Sequence, residues 1–399
     1  MNPNIESLHS YPFQKLAKLK EGITPPAELN PIFLSIGEPK HAPPKFALET
    51  LKNNLAFLSN YPVTSGTPEL RETAARWCEK RYKLSENQVS VDQVLSVNGT
   101  REALFSIAQA VIDHGKTTEK PVVISPNPFY QIYEGAALLA NAEPYYLNCD
   151  RDNHFLPDLN SVPDDIWERC QLFYFCNPGN PTGSVAPLDY LQQLIKLSEK
   201  HDFIIASDEC YSEIYFDEPP VGILEACNTL GNTEFKRCIV FQSLSKRSNL
   251  PGLRSGFVVG DKQLISSYLK YRTYHGCAMP VPSQLASIDA WNDERHVEAN
   301  RKAYKEKFDK VIPILKQTFD VIKPDAAFFL WLPVPIDEET FTRELFAKQN
   351  VTVLPGSYLA RDSKGQNPGK NFVRIALVAE LDECIEAANR LVEFAQEHL

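Results

Sequence analysis

The sequence predicts an α/β protein: a large domain with a mostly parallel sheet flanked by helices, followed by a smaller α+β domain. Short continuous apolar runs alternate with helical patterns, and this alternation is typical of buried parallel strands joined by helices. The apolar runs cover residues 122–125, 172–176, 203–207, 238–241 and 256–259. After about residue 285 the alternation gives way to a long charged helix, two further strands and a final helix.

The chain of 399 residues is long enough for two domains. We expect an N-terminal segment over residues 1–45 that packs with the small domain, a large domain over residues 46–285 and a small domain over residues 286–399. Thr67 and Pro68 predict the start of a helix that runs to about Arg81, because threonine caps helices and proline suits their first position. The remaining predicted elements are a strand over 94–97, helices over 187–200 and 292–316, and strands over 328–332 and 372–378.

Composition and charge exclude several classes of function. The formal net charge is −10 and we find no stripe of Lys and Arg, so a nucleic-acid partner is not expected. The nine cysteines form no C-x-x-C pair, so we expect neither a disulfide framework nor a metal site. The N-terminus lacks the pattern of a secretory signal and no apolar run is long enough to span a membrane, which favours a cytoplasmic protein. Nucleotide-binding, hydrolase and zinc-protease motifs are absent as well.

Two glycine-containing loops are candidate ligand sites. Gly99, Thr100 and Arg101 follow a predicted strand and open a helix, whose free N–H groups suit a phosphate, although an ordinary strand-to-helix turn explains the pattern too. The sequence NPGNPTG at 177–183, which contains Asn180, forces an irregular loop just after a strand. Open α/β sheets bind ligands at that end of their strands.

Several charged residues stand where a charge needs a partner. Asp208 closes an apolar strand, and a carboxylate there requires a cation or a turn to cap. Lys246 follows another strand, where desolvation would lower the pKa of an amine and make it nucleophilic, although a lone lysine more often lies on a solvated face. Arg254 lies beyond a Pro-Gly turn and can return toward Ser243 to hold a phosphate. Arg374, in a strand of otherwise apolar residues, requires an anion such as a carboxylate or a structural ion pair.

Taken together, these motifs resemble those of the fold-type I pyridoxal-phosphate (PLP) enzymes, in particular the class I and II aminotransferases. The resemblance extends from the sequence SIGEP at 35–39 to the strand of Arg374 and includes N-P-x-N-P-T-G, D-E-x-Y and S-x-S-K in the family's order. It implies the fold-type I fold and PLP as the cofactor.

The resemblance also implies a role for each matching residue. Lys246 corresponds to the lysine that binds the cofactor covalently and later moves the substrate proton, and Asp208 to the carboxylate that keeps the pyridine nitrogen protonated. Tyr211 and Asn180 correspond to the pair that hydrogen-bonds the 3′-oxygen. The remaining expected roles are phosphate contacts for Gly99, Thr100, Arg101, Ser243 and Arg254, ring stacking for Tyr130, α-carboxylate binding for Arg374 with Gly37 and Asn180, and a reach to the neighbouring subunit's phosphate for Tyr61, which implies a homodimer.

Within the family, the stretches 245–257 and 274–279 most resemble bacterial N-succinyldiaminopimelate aminotransferases of lysine biosynthesis. That resemblance implies amino transfer between glutamate and a substrate with a distant second carboxylate, for which Arg247, Arg272 and His275 are the candidate partners. Two other activities on the same scaffold stay open: an aminotransferase for aromatic or neutral amino acids, and a carbon–sulfur β-lyase. A PLP-binding regulatory module is a remote alternative, because few residues precede Gly37.

Overall fold

The computed structural model describes residues 1–398 and contains one large sheet and two small ones. Seven strands form the large sheet in the order β2-β8-β7-β6-β5-β3-β4. All neighbouring pairs from β7 to β4 are parallel, and β8 runs antiparallel to β7 and β2. The strands are β1 Ile32–Phe33, β2 Val94–Val97, β3 Val122–Asn127, β4 Glu143–Asn148, β5 Cys170–Cys176, β6 Ile204–Asp208, β7 Cys238–Ser243, β8 Gly256–Gly260, β9 Phe329–Pro333, β10 Val351–Thr352, β11 Leu354–Pro355 and β12 Phe372–Ala376.

Helices cover both faces of the large sheet. On β5, Phe173 contributes to the core on one face while Leu172 and Tyr174 contribute to the core on the other, so the strand is apolar throughout. No helix within residues 1–398 has both the length and the apolar character needed to cross a membrane. The helices are α1 Pro12–Leu19, α2 Lys45–Asn53, α3 Pro68–Arg81, α4 Thr100–Val111, α5 Ile132–Leu139, α6 Asp164–Arg169, α7 Leu188–His201, α8 Ile223–Thr229, α9 Leu244–Arg247, α10 Lys262–His275, α11 Val281–Asn292, α12 Arg295–Leu315, α13 Glu338–Gln349 and α14 Leu381–His398.

The C-terminal part has its own core. Strands β11, β12 and β9 form an antiparallel sheet, and Phe308 of α12, Phe341 of α13 and Leu391 of α14 pack in one cluster with its residues. Strand β1 pairs with β10, which ties the N-terminal segment to this part of the chain. The expected boundary at residue 285 falls inside α11, whose Trp291 packs against Trp77 of α3. The three-part division of the chain stays a prediction.

Most of the predicted elements are present, and the α/β fold class is confirmed. Helix α3 begins and ends as expected, with the Thr67 hydroxyl accepting a hydrogen bond from the Leu70 N–H at 3.4 Å. The predicted helix over 292–316 is α12, which starts three residues later, at Arg295. Strand β4 was not predicted. It lies at the edge of the sheet, is largely half-buried and contains Pro144, so its sequence lacks the continuous apolar run of the inner strands.

Candidate active site

A cavity of about 550 Å³ lies at the carboxyl ends of β5, β6 and β7. The loop after β5 brings Asn180 to it, the end of β6 brings Asp208, and the turn from β7 into α9 brings Lys246. Parallel neighbours in a sheet end at the same edge, so three segments that are distant in the chain meet here. Most of the predicted site residues line this cavity: Gly37, Thr100, Arg101, Tyr130, Asn180, Asp208, Tyr211, Ser243, Lys246, Arg254 and Arg374.

Lys246 is a half-buried residue, and its amine has no carboxylate partner among the described residues. Its Nζ donates to the backbone oxygen of Gly37 at 2.5 Å and lies 5.5 Å from the centre of the Phe328 ring. Burial lowers the pKa of this amine from 10.5 to about 8. The amine is therefore partly unprotonated near neutral pH and can act as a nucleophile and as a base.

Asp208 is a buried carboxylate that faces the same cavity. Its Oδ2 accepts from the Tyr133 hydroxyl at 2.7 Å and its Oδ1 from the Cys210 N–H at 3.3 Å. Burial raises the pKa of this carboxyl, and the hydrogen bonds oppose the rise. Among the described residues, Asp208 forms no salt bridge, so the carboxylate suits a cationic N–H group that enters the cavity.

The start of α4 and the turn after β7 bring several hydrogen-bond donors together at one corner of the cavity. Ser243 and Ser245 face the cavity with their hydroxyl oxygens 2.9 Å apart. Arg254 reaches this corner and donates to the backbone oxygens of Pro251 at 2.8 Å and Asn98 at 3.4 Å. Gly99 permits this approach, since a Cβ at that position would lie 2.3 Å from the Arg254 guanidinium and φ there is +86°. These donors match a phosphate group.

Arg374 lies on the opposite side, on β12. Its Nη2 donates to the Ser35 backbone oxygen at 2.7 Å, and its Nη1 donates to the Asn180 side-chain oxygen at 3.0 Å. Burial lowers the pKa of this guanidinium to about 10, so it stays charged at neutral pH. Among the described residues no carboxylate pairs with it. A planar cation held only by neutral acceptors matches a carboxylate of a ligand.

Arg101 and Tyr130 form a pair at the same cavity. The Arg101 Nε donates to the Tyr130 hydroxyl at 2.6 Å, and the two terminal guanidinium nitrogens form no hydrogen bond within residues 1–398. Burial raises the pKa of the Tyr130 phenol, which therefore stays neutral. Arg101 is thus a second cation that can meet an anionic group in the cavity.

Two predicted site residues do not line the cavity in this chain. Gly99 lies behind the Arg254 side chain, as described above. Tyr61 is fully exposed, at 103% of its reference area, and touches the cavity nowhere. Its expected reach into a neighbouring subunit stays a prediction.

The three candidates for a distant carboxylate are wrong. Arg247 is only 1% exposed and donates to Glu294 at 2.7 Å, while Arg272 is 0% exposed and pairs with Glu102 at 2.5 Å. His275 lies on another surface, beside Cys277. The resemblance over 245–257 and 274–279 suggested these positions. The partners of Arg247 and Arg272 lie 47 and 170 residues away in the chain and leave no local signal.

Sequence reasoning also missed several residues at the site. Tyr133 holds Asp208 from behind, and Tyr11, Glu38 and Ser245 line the cavity. Ser245 and Glu38 lie inside motifs that were recognised, S-x-S-K and GEP, and could have been included. Tyr133 and Tyr11 stand in no such motif, and only the folded chain brings them here.

The arrangement of strands around Lys246 places the chain in fold type I of the PLP enzymes, and comparison with known proteins narrows the class. The family model of class I and II aminotransferases matches residues 30–391, so the chain belongs to this family. The LL-diaminopimelate aminotransferase of Dehalococcoides mccartyi (strain ATCC BAA-2266 / KCTC 15142 / 195) is 31% identical over an alignment of 402 positions, which covers 99% of this chain and 98% of that protein.

Solved structures agree with this membership. An aminotransferase from Neisseria meningitidis Z2491 has 49% identity and a TM-score of 0.94, covering 99% of this chain and 100% of that one. A protein named probable N-succinyldiaminopimelate aminotransferase, from Thermus thermophilus, has 27% identity and a TM-score of 0.81, covering 96% of this chain and 99% of that one. The predicted family, fold type and cofactor are confirmed: the chain is an aminotransferase that uses PLP and acts on amino and keto acids.

The residues present fit this cofactor. PLP carries an aldehyde, a basic ring nitrogen and a phosphate, and the cavity offers a desolvated amine at Lys246, a carboxylate without a salt bridge at Asp208 and the corner around Arg254. The corner around Arg254 requires glycine at position 99, since any Cβ there would displace the Arg254 guanidinium. Which residue meets which cofactor atom belongs to the proposal that follows.

Proposed function

We propose that this aminotransferase exchanges the amino group between glutamate and an N-succinyldiaminopimelate-type amino or keto acid, as part of lysine biosynthesis by way of diaminopimelate. The names of the relatives in Dehalococcoides and Thermus support the diaminopimelate class. The observation that carries the proposal is the pair of cations at one cavity. Arg374 and Arg101 both line it without a carboxylate partner among residues 1–398. Both substrates carry an α-carboxylate and at least one distal carboxylate, and the site offers one cation for the α-carboxylate and one for a distal carboxylate.

The roles of the residues follow from where they lie. Arg374 binds the α-carboxylate, and Asn180 holds the guanidinium in place. Asp208 pairs with the cofactor's ring N–H, and Tyr133 keeps that carboxylate in position. PLP, when bound, supplies an electron sink for the pair of electrons left when the substrate's Cα–H bond breaks.

Lys246 holds the cofactor and, once released, carries the proton taken from the substrate Cα. A base works best when its pKa is near the working pH, and a pKa of about 8 meets that requirement. Tyr211 packs its ring against Phe328 and Phe329 next to this amine. These rings reduce access of water to Lys246 and keep its pKa low. Tyr211 and Asn180 are assigned to the cofactor 3′-oxygen by the family resemblance.

Arg101 takes the place of the three incorrect candidates as the partner of the second carboxylate. Its backbone N–H at the start of α4 remains available for the cofactor phosphate, so the two roles do not compete. The test is Arg101→Ala, assayed with glutamate and with alanine as amino donors. Loss of a charged hydrogen bond is expected to weaken transition-state binding of glutamate by about 1.5–3 kcal/mol and to lower its kcat/KM accordingly. The kcat/KM for alanine, which has no second carboxylate, should not change. An equal loss for both donors would contradict the assignment.

Free LL-diaminopimelate is a second candidate substrate, supported by the name of the Dehalococcoides relative and by Glu38. Glu38 lines the cavity, pairs with Lys40 at 3.2 Å and is 55% exposed, so a distal ammonium can approach it. The succinylated compound lacks that ammonium. We therefore compare kcat/KM for the succinylated and free compounds, in the parent and in Glu38→Gln. The proposal expects the succinylated compound to be favoured at least about tenfold, or 1.4 kcal/mol.

Other outcomes of this comparison decide between the activities left open. A preference for free diaminopimelate that Glu38→Gln removes would replace the succinylated substrate with the free one. Faster turnover of phenylalanine would assign the aromatic class. Release of a thiol from cystathionine would assign a carbon–sulfur β-lyase.

The proposed active unit is a homodimer in which Tyr61 reaches the neighbouring subunit's phosphate site. The support is an exposed apolar stretch just before and around this residue, formed by Leu55, Phe57, Leu58 and Val63. Sedimentation of the protein measures the assembly directly. Tyr61→Phe, which keeps the ring and removes the hydroxyl, is expected to weaken cofactor binding without separating the subunits. A monomeric, fully active enzyme would contradict the proposal.

A further inference from the structure

A buried polar network behind Lys246 connects three separate parts of the chain. Asn300 of α12 donates through its Nδ2 to the backbone oxygens of Lys246 at 3.2 Å and Arg247 at 3.5 Å. His41, in the segment after β1, lies with its Nδ1 2.7 Å from the Asn300 Oδ1. Lys307, also on α12, lies with its Nζ 2.7 Å from the His41 Nε2. We refer to His41, Asn300 and Lys307 as the His41 network.

The hydrogen-bond roles in this network follow from its ends. Backbone oxygens only accept, so the Asn300 nitrogen faces Lys246 and its oxygen faces His41. The His41 Nδ1 must then carry a proton, because an amide oxygen cannot donate. The Nε2 either accepts from the Lys307 ammonium or donates to the neutral amine. In both arrangements His41 and Lys307 together carry one positive charge. In both, His41 donates to Asn300 and Asn300 donates to the backbone of Lys246.

Lys307 is an unusual residue to bury. It is 2% exposed, and it forms no salt bridge within residues 1–398. Glu380 and Glu383 act on it only from a distance, and burial lowers its pKa. Its other acceptor is the backbone oxygen of Val378, at 3.4 Å. Burying a cation without a carboxylate is costly, which indicates that the position serves something other than stability.

The network reaches both ends of Lys246. Asn300 holds the backbone of this residue, and His41 anchors a segment whose Gly37, four residues earlier, accepts from the Lys246 Nζ. The same segment holds Arg374 through the Ser35 backbone oxygen. Displacement of His41 would therefore move the acceptors of the two cations that the proposed reaction needs.

We propose that the His41 network is a positioning device: it sets the location of the Lys246 amine relative to Arg374 by fixing the Lys246 backbone and the segment 35–41 together. This inference rests on the proposed role of Lys246. Misplacing a reacting group by about 1 Å is enough to lower turnover by roughly a hundredfold, so the network need not touch substrate to matter.

Two substitutions at His41 separate its hydrogen bonds from its packing. His41→Phe keeps a ring against Tyr304, whose centroid lies 4.6 Å from that of the histidine, and removes both hydrogen bonds. His41→Gln keeps one donor and one acceptor. The double variant His41→Phe with Lys307→Met also removes the buried cation, so it stays foldable if the single variant does not. Lys302→Met, at an exposed position of α12, is the matched control for the loss of a lysine.

The first measurement is the kinetics of the holoenzyme with glutamate. The double variant is expected to lose kcat by roughly tenfold to a hundredfold while KM stays within about twofold, because Arg374 keeps its hydrogen bond to Asn180 even when the segment of Ser35 shifts. His41→Gln is expected to recover most of kcat, and Lys302→Met to match the parent. A double variant with parental kcat, or a glutamine variant as slow as the double variant, would overturn the proposal.

The second measurement needs no turnover. In protein freed of the cofactor, the rate at which acetic anhydride labels Lys246 is followed against pH by mass spectrometry of the peptide. Loosening the bond to Gly37 removes a partner of the charged amine, so the labelling midpoint is expected to move to lower pH in the double variant. An unchanged midpoint would overturn the proposal. If labelling shifts as expected but borohydride fixes the cofactor of the parent on another lysine, the proposed role of Lys246 fails and the network remains a device that positions this amine.

Discussion

At the end of β6, and in α9 just after β7, one charged residue lines the cavity while the next charged residue in the chain does not. Asp208 and Lys246 face the cavity and have no ionic partner within residues 1–398. The residues immediately after them do not line the cavity and have partners within the protein, although the Arg247 Nε forms no hydrogen bond there. Glu209 accepts from the Tyr82 hydroxyl at 2.7 Å and from the Ile223 N–H at 2.9 Å. Arg247 pairs with Glu294 and lies over the Trp291 ring.

This contrast teaches how to distinguish functional charges from structural ones in the same buried region. A buried charge that finds its partner inside the chain is satisfied by folding and adds to cohesion. A buried charge that finds none keeps a desolvation cost, and a ligand that supplies the counter-charge removes that cost. The prediction is that Asp208 and Lys246 affect turnover, whereas Glu209 and Arg247 affect stability.

The largest expected effect separates Lys246 from Arg247. Lys246→Ala is expected to lose turnover by roughly a thousandfold or more, because the nucleophile and the proton carrier vanish together, while still binding PLP. Arg247→Ala is expected to lose about 1–3 kcal/mol of stability, because it removes the hydrogen bonds to Glu294 and to the Ala290 backbone oxygen. Single-turnover kinetics and urea denaturation of both variants test this. A folded Arg247→Ala enzyme as inactive as Lys246→Ala would break the distinction.

The second effect separates Asp208 from Glu209. Asp208→Ala is expected to lower kcat by roughly a hundredfold or more, since an unprotonated pyridine is a poor electron sink, with little change in amino-acid affinity. Glu209→Ala removes the acceptor of the Tyr82 and Ser207 hydroxyls and of the Ile223 N–H, and is expected to cost about 1–3 kcal/mol of stability. Steady-state kinetics on the folded fraction measure both. If Asp208→Ala weakened binding of glutamate as much as it slowed turnover, its assignment to the ring nitrogen would be lost.

The third effect compares two buried arginines. Arg374→Ala is expected to weaken capture of every amino and keto acid by about 1.5–3 kcal/mol, or roughly tenfold to a hundredfold in KM. Arg390 on α14 is also buried, donates to the backbone oxygens of Asn30 and Gln349, and lies away from the cavity. Arg390→Ala is the matched control and should alter the unfolding midpoint without altering KM. Unchanged KM in Arg374→Ala would contradict the carboxylate role.

The last effect is a pH dependence of stability. Burial lowers the pKa of Lys246 from 10.5 to about 8, so between these values the unfolded chain binds more protons than the folded one. The cost of burying the amine is therefore full below about pH 8 and falls as pH rises toward 10.5. Cofactor-free Lys246→Met is expected to be more stable than the parent below that range, and the gap should narrow by up to about 1.4 kcal/mol per pH unit within it. A gap that urea denaturation finds independent of pH would contradict the desolvation of Lys246.

Local sequence signals predicted the framework of the fold and most of the cavity for physical reasons. Continuous apolar strands and the cap at Thr67 depend on neighbours in the chain, and the residues after strand ends meet because parallel strands end together. The motifs of Asn180, Asp208, Lys246 and Arg374 therefore predict one site from the sequence alone.

The predictions that failed, and the features that were missed, lack a local signal in the sequence. Arg247 and Arg272 were expected at the cavity because nothing nearby in the sequence reveals Glu294 or Glu102 as partners. Strand β4 was missed because half-buried edge strands lack a continuous apolar run. The His41 network was invisible because its members are 259 and 266 residues apart in the chain. Pairing across such distances is a property of the folded structure alone.

The contrast between Lys246 and its neighbours is tested most directly by finding where the cofactor attaches. The purified protein is expected to be yellow, and sodium borohydride should fix PLP covalently to one lysine. Peptide mapping by mass spectrometry should find the reduced adduct on Lys246 alone, because it is the buried amine that faces the cavity with its pKa lowered to about 8. An adduct on any other lysine would contradict the account, since a paired or exposed amine would then be doing what we assign to the unpaired buried one.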